Sequence, residues 1–176
     1  MPQPDERALG DEAGTEAGRV ESFAGMTVIL GLGNPYMRDD AVGIFVAREL
    51  KKMKLGRRVV VHESHTLEAS LIWQFRDAAS LVVVDAAKSG APPGTVSKFA
   101  VAPKRSQTTG IPSLHELQLH DLIDLAGTEL ISVPVTVVAI EPKDCSAGEG
   151  LTEEVKAAIP LAVEEAVKLA NQPAGS

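Results

Sequence analysis

Short apolar runs alternate along the chain with stretches in which apolar residues recur at helical spacing. Met26-Thr27-Val28-Ile29-Leu30 is short, apolar and rich in β-branched residues, the pattern of a strand buried on both faces. Val42, Phe45, Val46, Leu50 and Met53 then recur every three or four residues, which predicts a helix starting near Asp39 or Asp40. Arg58-Val59-Val60-Val61-His62 reads as a second strand and Leu67 to Phe75 as a short helix. Ser80-Leu81-Val82-Val83-Val84-Asp85 is a third, fully buried strand that ends on an acid. After the turn Ala91-Pro92-Pro93-Gly94, Thr95 to Phe99 alternates polar with apolar, predicting a half-exposed, antiparallel edge strand. Ser113-Leu114-His115-Glu116 has capping-box spacing, so His115 is expected in the first turn of a helix that Gly127 stops. Val133 to Ile140 is a last strand, with Pro134 near its start, where a ladder tolerates it. Thr152-Glu153-Glu154 opens a terminal helix, and Pro160 is expected to kink or restart it. Strands alternating with helices predict an α/β fold: a mostly parallel sheet with helices on both faces and one antiparallel edge strand.

Composition sets the limits of this picture. The chain has 176 residues and is 44% hydrophobic, enough for one sizeable core. Residues 1–25 lack periodic apolar positions and are read as a disordered acidic leader, 26–171 as the single folded domain and 172–176 as a flexible tail. The leader holds six acids against Arg7 and Arg19, so four of the net seven negative charges lie there. No segment has the basic surplus that nucleic acid or an anionic membrane would select. No apolar run approaches the roughly 20 residues of a membrane span. The opening Met-Pro-Gln-Pro-Asp-Glu lacks the basic start and apolar core of a signal peptide, and Cys145 is a lone cysteine. These features set the expectation of a cytoplasmic protein, here taken as a monomer.

The chemistry concentrates in Gly31-Leu32-Gly33-Asn34-Pro35-Tyr36-Met37-Arg38-Asp39-Asp40-Ala41-Val42-Gly43. Gly31 and Gly33 permit a tight turn and close approach of the backbone to a ligand. One aspartate at the helix start is explained by capping, and Asp39 is assigned that role. Two exceed what capping requires, so Asp40 is read as functional, pointing into the crevice where open α/β sheets bind ligands. Asp85 ends a central strand and His115 begins a helix. Two carboxylates and an imidazole form a plausible donor set for a divalent transition metal, with coordination positions left open.

Other residues invite simpler readings. His62-Glu63-Ser64-His65 is not the His-Glu-x-x-His zinc motif, and in a strand its two histidines face opposite sides. His120 lies five residues from His115, so the two do not share a helical face. Cys145 has no adjacent cation or base to activate a thiolate, which argues against a cysteine nucleophile. Trp73 is assigned to packing, and Lys104 to Gly110 to a polar, mobile loop.

Three ordered blocks carry a resemblance: Gly31-Leu32-Gly33-Asn34 with Asp39-Asp40 and Gly43, then Val84-Asp85-Ala86 leading to Pro93-Gly94, then Ser113-Leu114-His115. From about Met26 to the last helix the chain resembles the hydrogenase maturation endopeptidases, which trim a C-terminal extension from the large subunit of nickel-iron hydrogenases. The resemblance implies a mostly parallel five-stranded sheet in a three-layer sandwich and a hydrogenase large-subunit precursor as partner. It also implies no cofactor of the protein's own. Asp40, Asp85 and His115 would recognise nickel that arrives in the substrate, and cadmium or zinc could occupy the same site in vitro. Glu141-Pro142 matches a further family element. Ala41 replaces a usual glycine, a change that favours helix, and the Asp144 to Gly150 loop lacks an aromatic common in relatives. Two alternatives remain: a metal-dependent binding module of the same fold that does not cleave, and a peptidyl-tRNA hydrolase-like enzyme. The second is disfavoured by Asp39-Asp40 where those enzymes carry a histidine-asparagine pair. A dinucleotide site would require a third glycine at Tyr36.

Overall fold

The computed structural model describes residues 22–66, 69–101 and 133–172. Among them, five strands form one sheet in the order β2-β1-β3-β5-β4: β1 (Thr27–Leu32), β2 (Val59–Ser64), β3 (Ser80–Ala86), β4 (Val96–Val101) and β5 (Val135–Ile140). β1 pairs in parallel with β2 and β3, and β3 in parallel with β5. Only β4 runs antiparallel, along the outer edge of β5. The polar-apolar alternation read at Thr95 to Phe99 is therefore that of an edge strand, while β1 is buried at all six positions.

The sheet separates two apolar layers. On one face Ile29, Val82, Val84, Val138 and Ile140 pack with Val42, Val46 and Leu50 of α1 (Val42–Lys51) and with Val155, Ala158 and Ala162 of α3 (Glu153–Ala170). On the other, Val28, Leu30, Val83 and Val137 pack with Phe23, Phe75 and Leu71, the last in α2 (Ala69–Gln74). Helices on both faces complete the three-layer sandwich.

Backbone approach sets how α1 meets the sheet. A Cβ on Gly31 would strike the Gly43 carbonyl, and one on Gly43 would strike the carbonyls of Val84 and Leu32. Gly33, at φ +142°, would strike the Asp40 carbonyl. The space opened by these glycines is filled by the chain's own backbone. The expectation that Gly31 and Gly33 admit a ligand is thus replaced by a packing role.

Two further expectations change. α3 continues through Pro160 without interruption. Pro160 is exposed, so water can satisfy the carbonyl it leaves without an intrahelical donor, while Val155, Ala158, Ala162 and Ala166 keep the helix seated on α1 and the sheet. Packing also reaches back beyond Met26. Phe23 is buried and meets Phe75 edge-on at 5.1 Å and His62 at 5.3 Å, while Ala24 bridges to Ala78. The segment before Met26 therefore supplies a core aromatic, which the lack of periodicity around it concealed. No helix among the described residues is long and apolar enough to cross a membrane.

Replacing Phe23 with alanine should destabilise the fold by about 3–5 kcal/mol, as for other buried aromatics. Urea denaturation measures this, and a loss below about 1 kcal/mol would place Phe23 outside the core.

Candidate active site at the carboxyl rim of the sheet

The connection leaving β1 is built around Asn34. Its side-chain oxygen accepts the Tyr36 N–H at 3.0 Å, and its own N–H donates to Asp40 Oδ2 at 2.9 Å. Arg38 takes a left-handed conformation, φ +46°, and starts a 3-10 turn (Arg38–Ala41) that runs directly into α1. Such conformations are costly for a non-glycine residue and persist where the surroundings enforce them.

The two adjacent aspartates have different environments. Asp39 is fully buried, and four donors from another part of the chain converge on it. Its Oδ2 accepts the N–H groups of Lys143 and Asp144 and the Thr152 hydroxyl, each at 2.9 Å; its Oδ1 accepts the Thr152 N–H at 2.7 Å. No side-chain cap bond forms at the start of the 3-10 turn or of α1. The capping role expected of Asp39 is thus replaced by a tertiary one: it anchors the loop between β5 and α3. No local signal in the sequence revealed this, because its partners lie more than 100 residues away.

Asp40 and Asp85 both stand at the carboxyl rim, Asp40 beyond β1 and Asp85 near the end of β3. Each is almost fully buried, at 7% exposure. Each has one carboxylate oxygen tied to a main-chain N–H: Asp40 to that of Asn34, and Asp85 to that of Ala86 at 2.8 Å. These bonds orient two carboxyl groups at the opening of the parallel sheet, where α/β folds hold ligands. His115, the third residue of the predicted set, lies outside the described residues, as do the Lys104 to Gly110 loop and His120. Among the described residues no three His, Cys, Asp or Glu side chains form a metal-holding group.

Glu141, just past β5, closes the rim from the other side. Its carboxylate accepts the Ser89 N–H and hydroxyl, both at 2.7 Å, and the Gly90 N–H at 3.2 Å. Burial alone would raise its pKa. The Ser89 hydroxyl and the N–H groups of Ser89, Gly90 and Ala91 outweigh that effect and hold it below the ordinary glutamate value. Glu141 thereby fixes the connection that follows Asp85.

Cys145 is half-buried in the anchored loop. Burial pushes its thiol up, and the negative charge of Asp40 pushes it further, against a smaller opposing effect of Lys88. A thiol held in this form is a poor nucleophile, in line with the reading from the sequence. His62 packs among Phe23 and Phe75, and His65 is exposed. Trp73 departs from its expected packing role: Leu71 in α2 and Phe75 just beyond it both pack inward, which leaves Trp73 outward, 51% exposed, with the Arg76 guanidinium 5.0 Å from its ring centre.

The depressed Glu141 carboxyl makes a prediction with a definite sign. A carboxylate with a lowered folded-state pKa adds stability that is complete above its unfolded value, about 4.3, and is lost as pH falls through the folded value. The wild type should therefore exceed Glu141→Gln in stability at pH 7, with the gap closing at acid pH below about 4. Urea titrations at both pH values read it, and a gap independent of pH would contradict it.

Comparison with known proteins places the fold in a family. The model of the hydrogenase maturation protease family matches residues 44–169. The coenzyme F420 hydrogenase subunit delta of Methanothermobacter thermautotrophicus is 28% identical over 148 residues, which cover 78% of this chain and 89% of that protein. The hydrogenase maturating endopeptidase HybD from E. coli superposes with a TM-score of 0.69 at 26% identity, over 80% of this chain and 88% of its own. The [NiFe] hydrogenase maturation protease HybD from Thermococcus kodakarensis gives 0.67 at 28% identity, over 83% and 99%. With the five-stranded sheet, its single antiparallel edge and the match through most of the domain, the chain belongs to the hydrogenase maturation proteases, a family of endopeptidases.

Proposed function

We propose that this protein removes the C-terminal extension of a nickel-iron hydrogenase large-subunit precursor, and that Asp40, Asp85 and His115 recognise the nickel which the precursor carries. The observation that supports this reading most is the pair Asp40 and Asp85: two nearly buried carboxylates, each oriented by a main-chain N–H, at one rim of the sheet. Neither belongs to the apolar core, and two nearly buried carboxyl groups at one rim offer oxygen donors suited to a cation. Oxygen donors with an imidazole suit nickel, and the set leaves positions open for groups of the precursor. Nickel here belongs to the substrate, so the protein needs no metal of its own. Held beside the scissile peptide, nickel would supply Lewis-acid polarisation of the carbonyl. The protein's own share is placement: Asn34 orients Asp40, Ala86 orients Asp85, and Glu141 holds the connection behind Asp85. The reaction belongs in the cytoplasm, where precursors would meet it before export or assembly.

Variants test the shared site. Asp40→Asn, Asp85→Asn and His115→Ala should each abolish precursor trimming, by more than about 100-fold, while leaving the far-ultraviolet dichroism unchanged. Asparagine keeps the shape of aspartate but loses the anion, so calorimetric binding of nickel chloride should weaken in parallel. Imidazole binds metal only when neutral, so wild-type binding should also weaken as pH falls through roughly 6 to 7. Three variants that bind nickel and trim precursor like the wild type would refute the shared site, whereas nickel-dependent precursor binding without cleavage in the wild type would favour a binding module.

A further inference from the structure

Two segments flank Asp40, and Asp39 joins them. The first is the turn Asn34 to Arg38; the second is the loop from Lys143 to Thr152. Beyond the four bonds to the Asp39 carboxylate, the segments are stitched by main-chain bonds: the Arg38 N–H donates to the Gly148 carbonyl at 2.9 Å, the Asp39 N–H to the Asp144 carbonyl at 3.1 Å, and the Gly148 N–H to the Tyr36 carbonyl at 2.8 Å. Met37 and Gly148 form a parallel bridge. The Arg38 guanidinium meets Asp144 at 3.3 Å and also fills the space where a Gly148 side chain would lie.

A loop with no regular strand or helix of its own is therefore tied to the turn at Lys143, Asp144, Gly148 and Thr152. The cost is high: a carboxylate buried without exposure, and a left-handed Arg38. The stitching also leaves Tyr36 66% exposed at the tip of the turn, although its N–H is fixed by the same Asn34 that orients Asp40. An aromatic ring on a rigid backbone, one turn from the reacting centre, has the character of a protein-recognition anchor.

We propose that the Asn34 to Arg38 turn and the Lys143 to Thr152 loop form one docking surface for the polypeptide flanking the scissile bond, with Tyr36 as its anchor and Asp39 as its positioning residue. The inference rests on the proteolytic reading above and adds to it the surface that seats the chain. Asp39 touches neither metal nor peptide; it acts by holding the loop against the turn. An extended peptide laid along this surface would reach Asp40 through a backbone that does not yield, which reduces the entropy lost on binding.

The test combines amide exchange with kinetics on the full chain. In Asp39→Asn one acceptor oxygen becomes an amide that faces donors, so the amides of Lys143, Asp144 and Thr152 should exchange at least about tenfold faster while those of β1 and β3 keep their protection. For a nickel-loaded large-subunit precursor, KM should rise about tenfold or more with kcat within about twofold. Tyr36→Ala removes an exposed ring and should raise KM similarly while leaving loop exchange unchanged. It carries the test if Asp39→Asn does not fold. Unchanged loop exchange in a folded Asp39→Asn, or an unmoved KM in Tyr36→Ala, would overturn the proposal. Precursor bound by the wild type but not cleaved would overturn the proteolytic reading alone, because the effect of Tyr36→Ala can then be read as a change in Kd.

Discussion

The contact on which the site depends is between backbones. Carbonyls of the Asp40-to-Gly43 segment occupy the space that side chains at Gly31 and Gly33 would fill, and the carbonyls of Leu32 and Val84 lie where a Gly43 side chain would be. The start of α1 is thereby drawn against the ends of β1 and β3. That approach carries Asp39 and Asp40 to the rim beside Asp85 rather than out into solvent. A single methyl group at any of these glycines would push the helix outward and take the aspartates with it.

Asp39 and Asp40, adjacent in sequence and both buried, show how one turn serves two purposes. The 3-10 geometry directs Asp39 toward the distant Lys143 to Thr152 loop and leaves Asp40 bound to Asn34 at the opening of the sheet. Glu141 does for the connection after β3 what Asp39 does for the loop before α3. Both buried acids accept main-chain N–H groups and a hydroxyl, and at Glu141 these donors outweigh burial and hold the carboxyl below the ordinary glutamate value. Hydrogen-bonded connections thus complete the rim between the ends of the regular elements.

Much of this was legible in the sequence. Strands announced themselves because a parallel sheet covered on both faces needs continuous β-branched runs, and β3 is the clearest case. The edge strand announced itself by alternation. Asp40 could be placed at the rim because a second acid at a helix start exceeds what capping requires, and Asp85 because it ends a buried strand. The remainder depended on tertiary partners that no local pattern encodes. Phe23 stands in a segment without periodicity yet enters the core through Phe75. Pro160 sits on an exposed face, where its missing N–H costs little beside the packing of Val155 and the alanines. Trp73 falls opposite Leu71 and Phe75 on a helix too short for its apolar face to be read. The glycines signal close approach in the sequence but not what approaches, and here it is α1.

The account stands on recognition of nickel in the substrate by the acids of this rim. The most direct measurement compares two preparations of one hydrogenase large-subunit precursor, nickel-loaded and nickel-free, incubated with the wild-type protein and read by mass spectrometry of the large subunit and the released peptide. The account predicts loss of the C-terminal extension from the loaded precursor alone. Equal trimming of both preparations, or trimming of neither, would contradict it.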